Sequence, residues 1–221
     1  MDYIRYNQSL SITQKLIIIN VLIYAVMYLF NLESFFIRNF SSIGVVSGTY
    51  NKFTGEVINQ VTIFETNQYY RFLTANYLHG SLMHIMFNMM ALYNLGELVE
   101  SLIGRFRFFI IYTISGIGGA LLSSIMNILL RPTEIVYSVG ASGAVFGVAG
   151  SLVVLALYRK NKGMDLFYRI NYQPLVFMLF LNLLMGQMVS RIDNWGHIGG
   201  LLVGCLIAYI YTFGHKALDN F

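Results

Sequence analysis

The amino-acid sequence predicts an all-α membrane protein: a bundle of six transmembrane helices with a long external loop after the first. Hydrophobic residues make up 57% of the 221 residues and charged residues only 11%. One water-soluble core of this size could not enclose so much apolar surface. Apolar runs of about 20 residues, the length that crosses a bilayer as a helix, recur along the chain. Short basic clusters separate several of these runs, as is typical of membrane topology signals.

Six apolar runs have about the length of a transmembrane helix, and most connections between them are short. They are residues 14–31, 81–99, 108–130, 138–158, 173–190 and 195–213. The first run lacks the small residues that signal-peptide cleavage needs, so we expect a retained helix. The prediction is one six-span domain, 14–213, between an N-terminal segment, 1–13, and a C-terminal tail, 214–221.

Residues 31–80 connect the first two spans and are rich in Ser, Asn, Gly, Thr and aromatic residues. They are too polar to span and too aromatic for a simple linker, so partial packing into the interface is expected. Six spans place both termini on one side of the membrane. If that side is cytoplasmic, the basic clusters of loops 105–107 and 159–169 lie inside, as the positive-inside rule requires. The expected location is the plasma membrane, with both termini cytoplasmic and the loop 31–80 external.

Composition also argues against other classes of partner and cofactor. The net charge is +4, but the basic residues form no continuous face, so no nucleic-acid partner is expected. The single cysteine, Cys205, supports neither a disulfide framework nor a cysteine metal site. No metal and no cofactor is expected. The lipid bilayer is an expected partner, whereas the sequence does not specify an oligomeric state.

Four polar side chains are predicted near the outer ends of three different spans: His84, Asn88, Ser142 and His197. Polar groups inside a span are costly and suggest function. His84 and Asn88 are four residues apart, so they share one face of the second span. Their alternative role is to satisfy backbone groups of the loops. His79 does not share that face and is expected to brace the loop.

Ser142 follows Gly140 and Ala141 at the start of the fourth span, where glycines leave its hydroxyl uncrowded. Alone, this pattern more often serves helix packing. However, small residues recur every four positions on two spans, forming the stripes Gly143, Gly147 and Ser151 on the fourth span and Gly196, Gly200, Gly204 and Ala208 on the sixth. Docking of these stripes is expected to bring Ser142 and His197 within reach of each other.

A serine and a histidine at one depth suffice for nucleophilic catalysis. An imidazole can take the serine proton at neutral pH. The side chains of Asn88 and His84 and the Ser142 backbone N–H are available as donors to an oxyanion. Asp193, four residues before His197, is expected to cap the sixth helix, although it could align with the imidazole. We therefore predict a Ser-His dyad.

Three separated motifs resemble those of the rhomboid family of intramembrane serine proteases. They are Gly140 to Gly143, fitting Gly-x-Ser-Gly on the fourth span; Gly196-His197-Ile198-Gly199-Gly200, fitting a histidine before small residues on the sixth; and His79, His84 and Asn88, matching His-x4-His-x3-Asn on the second. The resemblance runs from about residue 69 to 213. Each motif is weak alone, but their order on the expected spans is specific.

The resemblance implies a six-span rhomboid-like bundle of the minimal bacterial type that cleaves single-span membrane proteins near the outer face of the bilayer. It assigns Ser142 as nucleophile, His197 as base, and His84, Asn88 and Ser142 to the oxyanion hole. The expected supporting residues are Gly140, Gly143, Phe146 and Gly200.

Two positions depart from the family pattern, which commonly has Trp-Arg in the first external loop and a tyrosine one turn after the serine. Here these positions hold Tyr70-Arg71 and Phe146. Phe146 can still stack on the imidazole but has no hydroxyl. Arg71 and Glu100 are expected to be structural, bracing the loop and the inner end of the second helix.

Other functions remain compatible with buried polar residues in a membrane bundle. The main alternative is an inactive rhomboid-like protein that binds membrane clients, because a fold does not by itself imply a function. A transporter usually distributes its polar groups along a path through the membrane, whereas here they are predicted in one leaflet. A metal site made from His79, His84 and His197 lacks a carboxylate and a His-Glu-x-x-His helix.

Overall fold

The computed structural model describes residues 9–163 and 193–213, which form long helices and a segment, 31–80, with its own secondary structure. After the predicted topology, this segment is called the external segment, the end of the bundle that carries Ser142 the outer end, and the opposite end the inner end. The helices are α1 (Ile12–Leu29), α2 (Glu33–Phe40), α3 (Arg71–Thr74), α4 (Leu82–Ile103), α5 (Arg105–Leu130), α6 (Ser142–Asn161) and α7 (Asn194–Phe213), and the strands are β1 (Val45–Tyr50) and β2 (Val57–Thr62). A 3₁₀ turn, Ala75–Tyr77, precedes α4. Five predicted spans fall on α1, α4, α5, α6 and α7. The other, 173–190, lies outside the described residues.

Four of these helices, α1, α5, α6 and α7, are long and apolar enough to cross a membrane. Helix α4 has 22 residues, but Glu97 and Glu100 make its inner half more polar. Large apolar side chains are exposed along these helices, as expected for surfaces that face lipid. The chain is therefore a multi-pass helical membrane protein.

Helix α7 packs against both α5 and α6, and glycines set how closely it approaches α6. A Cβ added at Gly200 would collide with the backbone of Gly143, and one added at Gly204 would collide with the backbone of Gly147. A Cβ on Gly119 of α5 would lie 2.5 Å from the Gly196 carbonyl oxygen. The predicted docking of the two small-residue stripes is thus confirmed, and it includes α5 as well.

The main apolar core lies between α4, α5 and α6. Its fully buried members include Leu92 of α4, Phe108 and Ile111 of α5 and Val148 of α6, and Leu16 packs α1 against the same cluster. Such close packing holds the ends of these helices in fixed positions. The polar residues at their outer ends therefore sit on a rigid frame.

The external segment contains α2, an antiparallel hairpin of β1 and β2 and the short α3. The hairpin was not predicted from the sequence. Buried Arg71 donates hydrogen bonds to the Gln68 side chain at 2.6 Å and to the Ser41 carbonyl at 3.1 Å. The Tyr70 hydroxyl donates to the Asn39 carbonyl at 3.0 Å. The expectation that Arg71 braces this loop is confirmed.

Buried serines join the external segment to the outer end of α5 and to the loop 131–141. Ser42 and Ser138 exchange two backbone hydrogen bonds of 3.0 and 2.8 Å. The hydroxyls of Ser42 and Ser124 lie 2.9 Å apart, and those of Ser123 and Ser138 lie 3.1 Å apart. The loop that leads into α6 is therefore held from two sides.

At the opposite end of the bundle, Glu100 of α4 caps the start of α1. Its carboxylate accepts hydrogen bonds from the first two backbone N–H groups of α1, at 2.9 and 2.8 Å, and from Thr13 Oγ1 at 2.9 Å. Ser11 Oγ donates to Glu97 at 2.6 Å. Arg105 lies 3.7 Å from Glu100. Since α1 needs acceptors for its first N–H groups, the expected structural role of Glu100 is confirmed.

Candidate active site

Ser142 is the first residue of α6, and His197 lies in the first turn of α7. The docked glycine stripes bring these two turns together, so that Ser142 Oγ and His197 Nε2 are 2.9 Å apart. His197 is buried, whereas Ser142 is only partly buried. A hydroxyl in hydrogen-bond contact with an imidazole and still accessible is the arrangement of an activated serine nucleophile.

Gly140 shapes the approach to Ser142. Its φ of +123° is rarely open to other residues, and its N–H donates to the Ala75 carbonyl at 3.0 Å. A Cβ placed there would lie 2.7 Å from His84 Nε2 and 3.6 Å from Ser142 Oγ. Glycine at this position therefore lets the His84 ring and the Ser142 hydroxyl lie side by side.

The fourth span was predicted from residue 138, but α6 begins at Ser142. Backbone groups of 138–141 bond elsewhere: Ser138 pairs with Ser42, Gly140 with Ala75, and the Ala141 N–H donates to His79 Nε2 at 3.4 Å. The Ser138 carbonyl is thus used by Ser42, and Gly140 has a φ of +123°, so a helix cannot run through 138–140. The later start places the serine at the helix N-terminus.

His79 contacts both the loop before Ser142 and the ring of His84. Beyond its hydrogen bond with Ala141, its ring stands edge-on to that of His84, with centroids 5.0 Å apart. It is buried. His79 thus braces the loop, as expected from its position outside the helix face shared by His84 and Asn88.

His84 and Asn88 project from the first two turns of α4. Ser81 caps this helix, its Oγ accepting a hydrogen bond from the His84 N–H at 3.2 Å. Asn88 is buried and donates one amide hydrogen to the His84 carbonyl at 2.9 Å. An amide carries two hydrogens, so a second remains for another acceptor.

The ring of Phe146, one turn after Ser142, stacks on the His197 imidazole. The centroids are 4.4 Å apart and the planes differ by 9°. The sequence predicted that Phe146 stacks on the imidazole although it lacks the hydroxyl of the family's tyrosine, and this stacking is present. It fixes the plane of the imidazole without a hydrogen bond.

Asp193 precedes α7 and caps it. Its Oδ1 accepts a hydrogen bond from the Gly196 N–H at 3.0 Å. Within the described residues, His197 Nδ1 has no hydrogen-bond partner. The geometry is thus that of a serine-histidine pair without a bonded carboxylate.

Within the described residues, no three His, Cys, Asp or Glu side chains are placed to hold a metal ion.

Sequence reasoning missed the contacts of Ser42 and Ser138, which hold the loop before Ser142. The available signal was the pair Ser123-Ser124 near the outer end of an otherwise apolar span. Two hydroxyls there need acceptors, which indicates a polar neighbour. The partners of Ser124 could not be identified because they lie about 80 residues away, at Ser42 and Ile43, whereas Ser123 pairs with Ser138 in the following loop.

The chain is similar in sequence to a known protein family and to several of its members. The family model described as Rhomboid domain matches residues 66–213. Rhomboid protease GluP of Bacillus subtilis is 37% identical over 147 residues, which cover 66% of this chain and 27% of that protein. Rhomboid protease AarA of Providencia stuartii is 35% identical over 161 residues, covering 66% and 57%. RHOMBOID-like protein 1 of Arabidopsis thaliana is 32% identical over 149 residues, covering 67% and 36%. The chain thus spans less than two thirds of each relative.

Proposed function

This chain belongs to the rhomboid family, and we propose that it is an intramembrane serine endopeptidase with Ser142 as nucleophile and His197 as base. The observation that carries the proposal is the 2.9 Å contact between Ser142 Oγ and His197 Nε2. The names of GluP and AarA as rhomboid proteases agree with it.

In the proposed reaction, Ser142 Oγ attacks the carbonyl carbon of the scissile bond while His197 Nε2 takes its proton. The imidazolium then gives that proton to the leaving amine, so the peptide bond breaks and an acyl-serine remains. Water, deprotonated by the same Nε2, then attacks the acyl carbon, and the imidazolium returns the proton to Ser142 Oγ as the bond between Oγ and the carbonyl carbon breaks and the second product leaves. Phe146 holds the plane of the ring through both steps.

In the transition state, negative charge develops on the carbonyl oxygen of the substrate and is stabilised by hydrogen-bond donors that already point at it. The Ser142 N–H has no intrahelical acceptor because it is the first of α6. We propose that this group, the second amide hydrogen of Asn88 and the His84 imidazole form the oxyanion hole. Removing one such donor typically raises the barrier by about 2.7 to 4 kcal/mol.

The proposed topology has six spans and cytoplasmic termini in the plasma membrane, with the loop 31–80 outside. It is supported by the basic residues at the start of α5 and in the last turn of α6, which includes Arg159 and Lys160. Ser142 and His197 lie at the other end of their helices. The scissile bond then lies just inside the outer leaflet.

The substrates we propose are single-span membrane proteins with small or helix-breaking residues near their outer end. A substrate helix keeps its carbonyl groups hydrogen-bonded, so it must unwind before Ser142 can attack. Residues with low helix propensity reduce the cost of unwinding. Replacing them with Leu in a reconstituted substrate should slow cleavage. Mass spectrometry of the products locates the cut, and cuts at the cytoplasmic end would overturn the proposed depth.

A fluorophosphonate probe tests the proposed nucleophile directly. The folded protein in detergent should become labelled on Ser142, and prior heat denaturation or the Ser142→Ala variant should abolish labelling. The matched control is Ser151→Ala, which removes another buried hydroxyl of α6 that donates to the Val148 carbonyl. It should label normally. A folded wild-type protein that never labels would favour the inactive client-binding alternative.

A further inference from the structure

The end of the bundle opposite Ser142 carries a group of basic residues, here called the basic end: Arg105 and Arg107 of α5 and Arg159 and Lys160 of α6. Arg105 has local partners, since it donates to the Ser9 side chain and carbonyl at 2.9 Å each and lies 3.7 Å from Glu100. The first turn of α5 holds no acidic residue. The described carboxylates that the structure places at this end, Glu97 and Glu100, bond to the start of α1, so positive charge predominates on the part of this surface formed by α5 and α6.

Arg107 differs from Arg105 in its partners. In the part of the chain that the structure describes, no carboxylate forms an ion pair with Arg107. Instead its guanidinium lies over the ring of Tyr211 on α7, 5.9 Å from the centroid. A guanidinium held against an aromatic face keeps its N–H groups free and planar, which suits bidentate contact with a phosphate.

An exposed apolar side chain precedes each member of this contact in the sequence, Phe106 before Arg107 and Ile210 before Tyr211. Phe106 of α5 is 75% exposed and Ile210 of α7 is 49% exposed. Within the described residues, this surface therefore offers a guanidinium without a paired carboxylate at the end of a membrane helix, and exposed apolar groups on the same two helices. A molecule with one anionic group and apolar chains complements both features.

We propose that Arg107 and Tyr211 bind the phosphate of an anionic phospholipid, whose acyl chains pack along Phe106 and Ile210. The charged groups of Arg105, Arg159 and Lys160 add long-range attraction. Binding requires no proteolysis. Only the identity of the leaflet, the cytoplasmic one, rests on the proposed topology.

Native mass spectrometry of the full chain in detergent tests this proposal. The protein is titrated with phosphatidylglycerol or with phosphatidylcholine of the same acyl chains. The wild type should bind phosphatidylglycerol preferentially, and Arg107→Gln should weaken that binding about fivefold. The matched control is Arg131→Gln, which removes one positive charge at the other end of the same helix. It should leave the affinity unchanged.

Two further measurements guard against a misfolded variant and a different ligand. Arg107→Lys keeps the charge but loses the planar guanidinium, so its affinity should lie between those of the wild type and Arg107→Gln, while about 1 M ammonium acetate should abolish the preference in the wild type. Equal effects of Arg107→Gln and Arg131→Gln, or a preference that persists in high salt, would overturn the site. Displacement of the lipid by millimolar inorganic phosphate would show a small-anion site and would overturn the lipid proposal.

Discussion

The two ends of the bundle hold polar groups in different states. At the inner end, the Glu100 carboxylate accepts three hydrogen bonds from α1 and lies near Arg105. At the outer end, the described part of the chain leaves His197 Nδ1 unpaired, and Ser142 Oγ bonds only to the imidazole that can take its proton. Both regions are polar and lie at helix ends.

The difference shows that burial of polar groups does not by itself indicate catalysis. A carboxylate that already accepts three hydrogen bonds from a neighbouring helix stabilises the contact between the two helices. A serine and a histidine that bond to each other, beside donors with a free hydrogen, can exchange these bonds during a reaction. The comparison predicts that substitutions at the two ends alter different properties.

The largest expected effect is on catalysis. Ser142→Ala or His197→Ala should each reduce cleavage of a reconstituted single-span substrate at least about 1000-fold, because each removes a participant in the covalent step. Both variants should remain folded, as judged by thermal unfolding in detergent, and Ser151→Ala should cleave like the wild type. Wild-type-like cleavage by either variant would rule out the catalytic role assigned to the residue that it replaces.

The next effect is on stability. Glu100→Ala should lower the free energy of unfolding by about 3 kcal/mol, because the first N–H groups of α1 lose a buried charged acceptor. Cleavage per folded molecule should stay close to wild type. Glu33→Ala removes an exposed carboxylate from the first turn of α2 and should cost less than about 1 kcal/mol. If Glu100→Ala abolished cleavage while the protein stayed fully folded, the proposed division between the two ends would fail.

A smaller effect is expected from the ring that orients the base. Phe146→Leu should lower kcat/KM about 2- to 12-fold, since an aromatic stacking contact contributes about 0.5 to 1.5 kcal/mol. Phe146→Tyr retains the stacking and should be at least as active as the wild type. Steady-state kinetics on one substrate measure both variants. Full activity in Phe146→Leu would mean that the stacked geometry does not orient His197.

The smallest expected change comes from Asp193→Asn, because Asn caps helices as well as Asp does. Activity should stay within about threefold of wild type. Asp193→Ala, which loses the bond to the Gly196 N–H, should lower stability by about 1 kcal/mol. Activity as low as that of His197→Ala, with normal stability, would instead make the carboxylate a third member of the catalytic group.

Periodic features of the sequence predicted much of this architecture. Apolar runs located the helices, and small residues every four positions predicted the contact that joins Ser142 to His197. Contacts between distant segments were not predictable. The hairpin of β1 and β2 carries Ser, Asn and Gln without a clear apolar alternation. The Glu100 contacts with α1 join residues more than 80 positions apart, and no local pattern indicates such a pairing.

The two backbone hydrogen bonds between Ser42 and Ser138 couple the external segment to the loop 131–141, so that a movement of one moves the other. Moving Ser42 away from the bundle breaks two hydrogen bonds of residue 138, two positions before Gly140. Gly140 in turn holds the space that His84 and Ser142 share. A displacement of the external segment that reached Ser42 would therefore disturb the surroundings of Ser142. Under the proposed function, substrate entry that leads to cleavage requires movements that leave Ser42 in place.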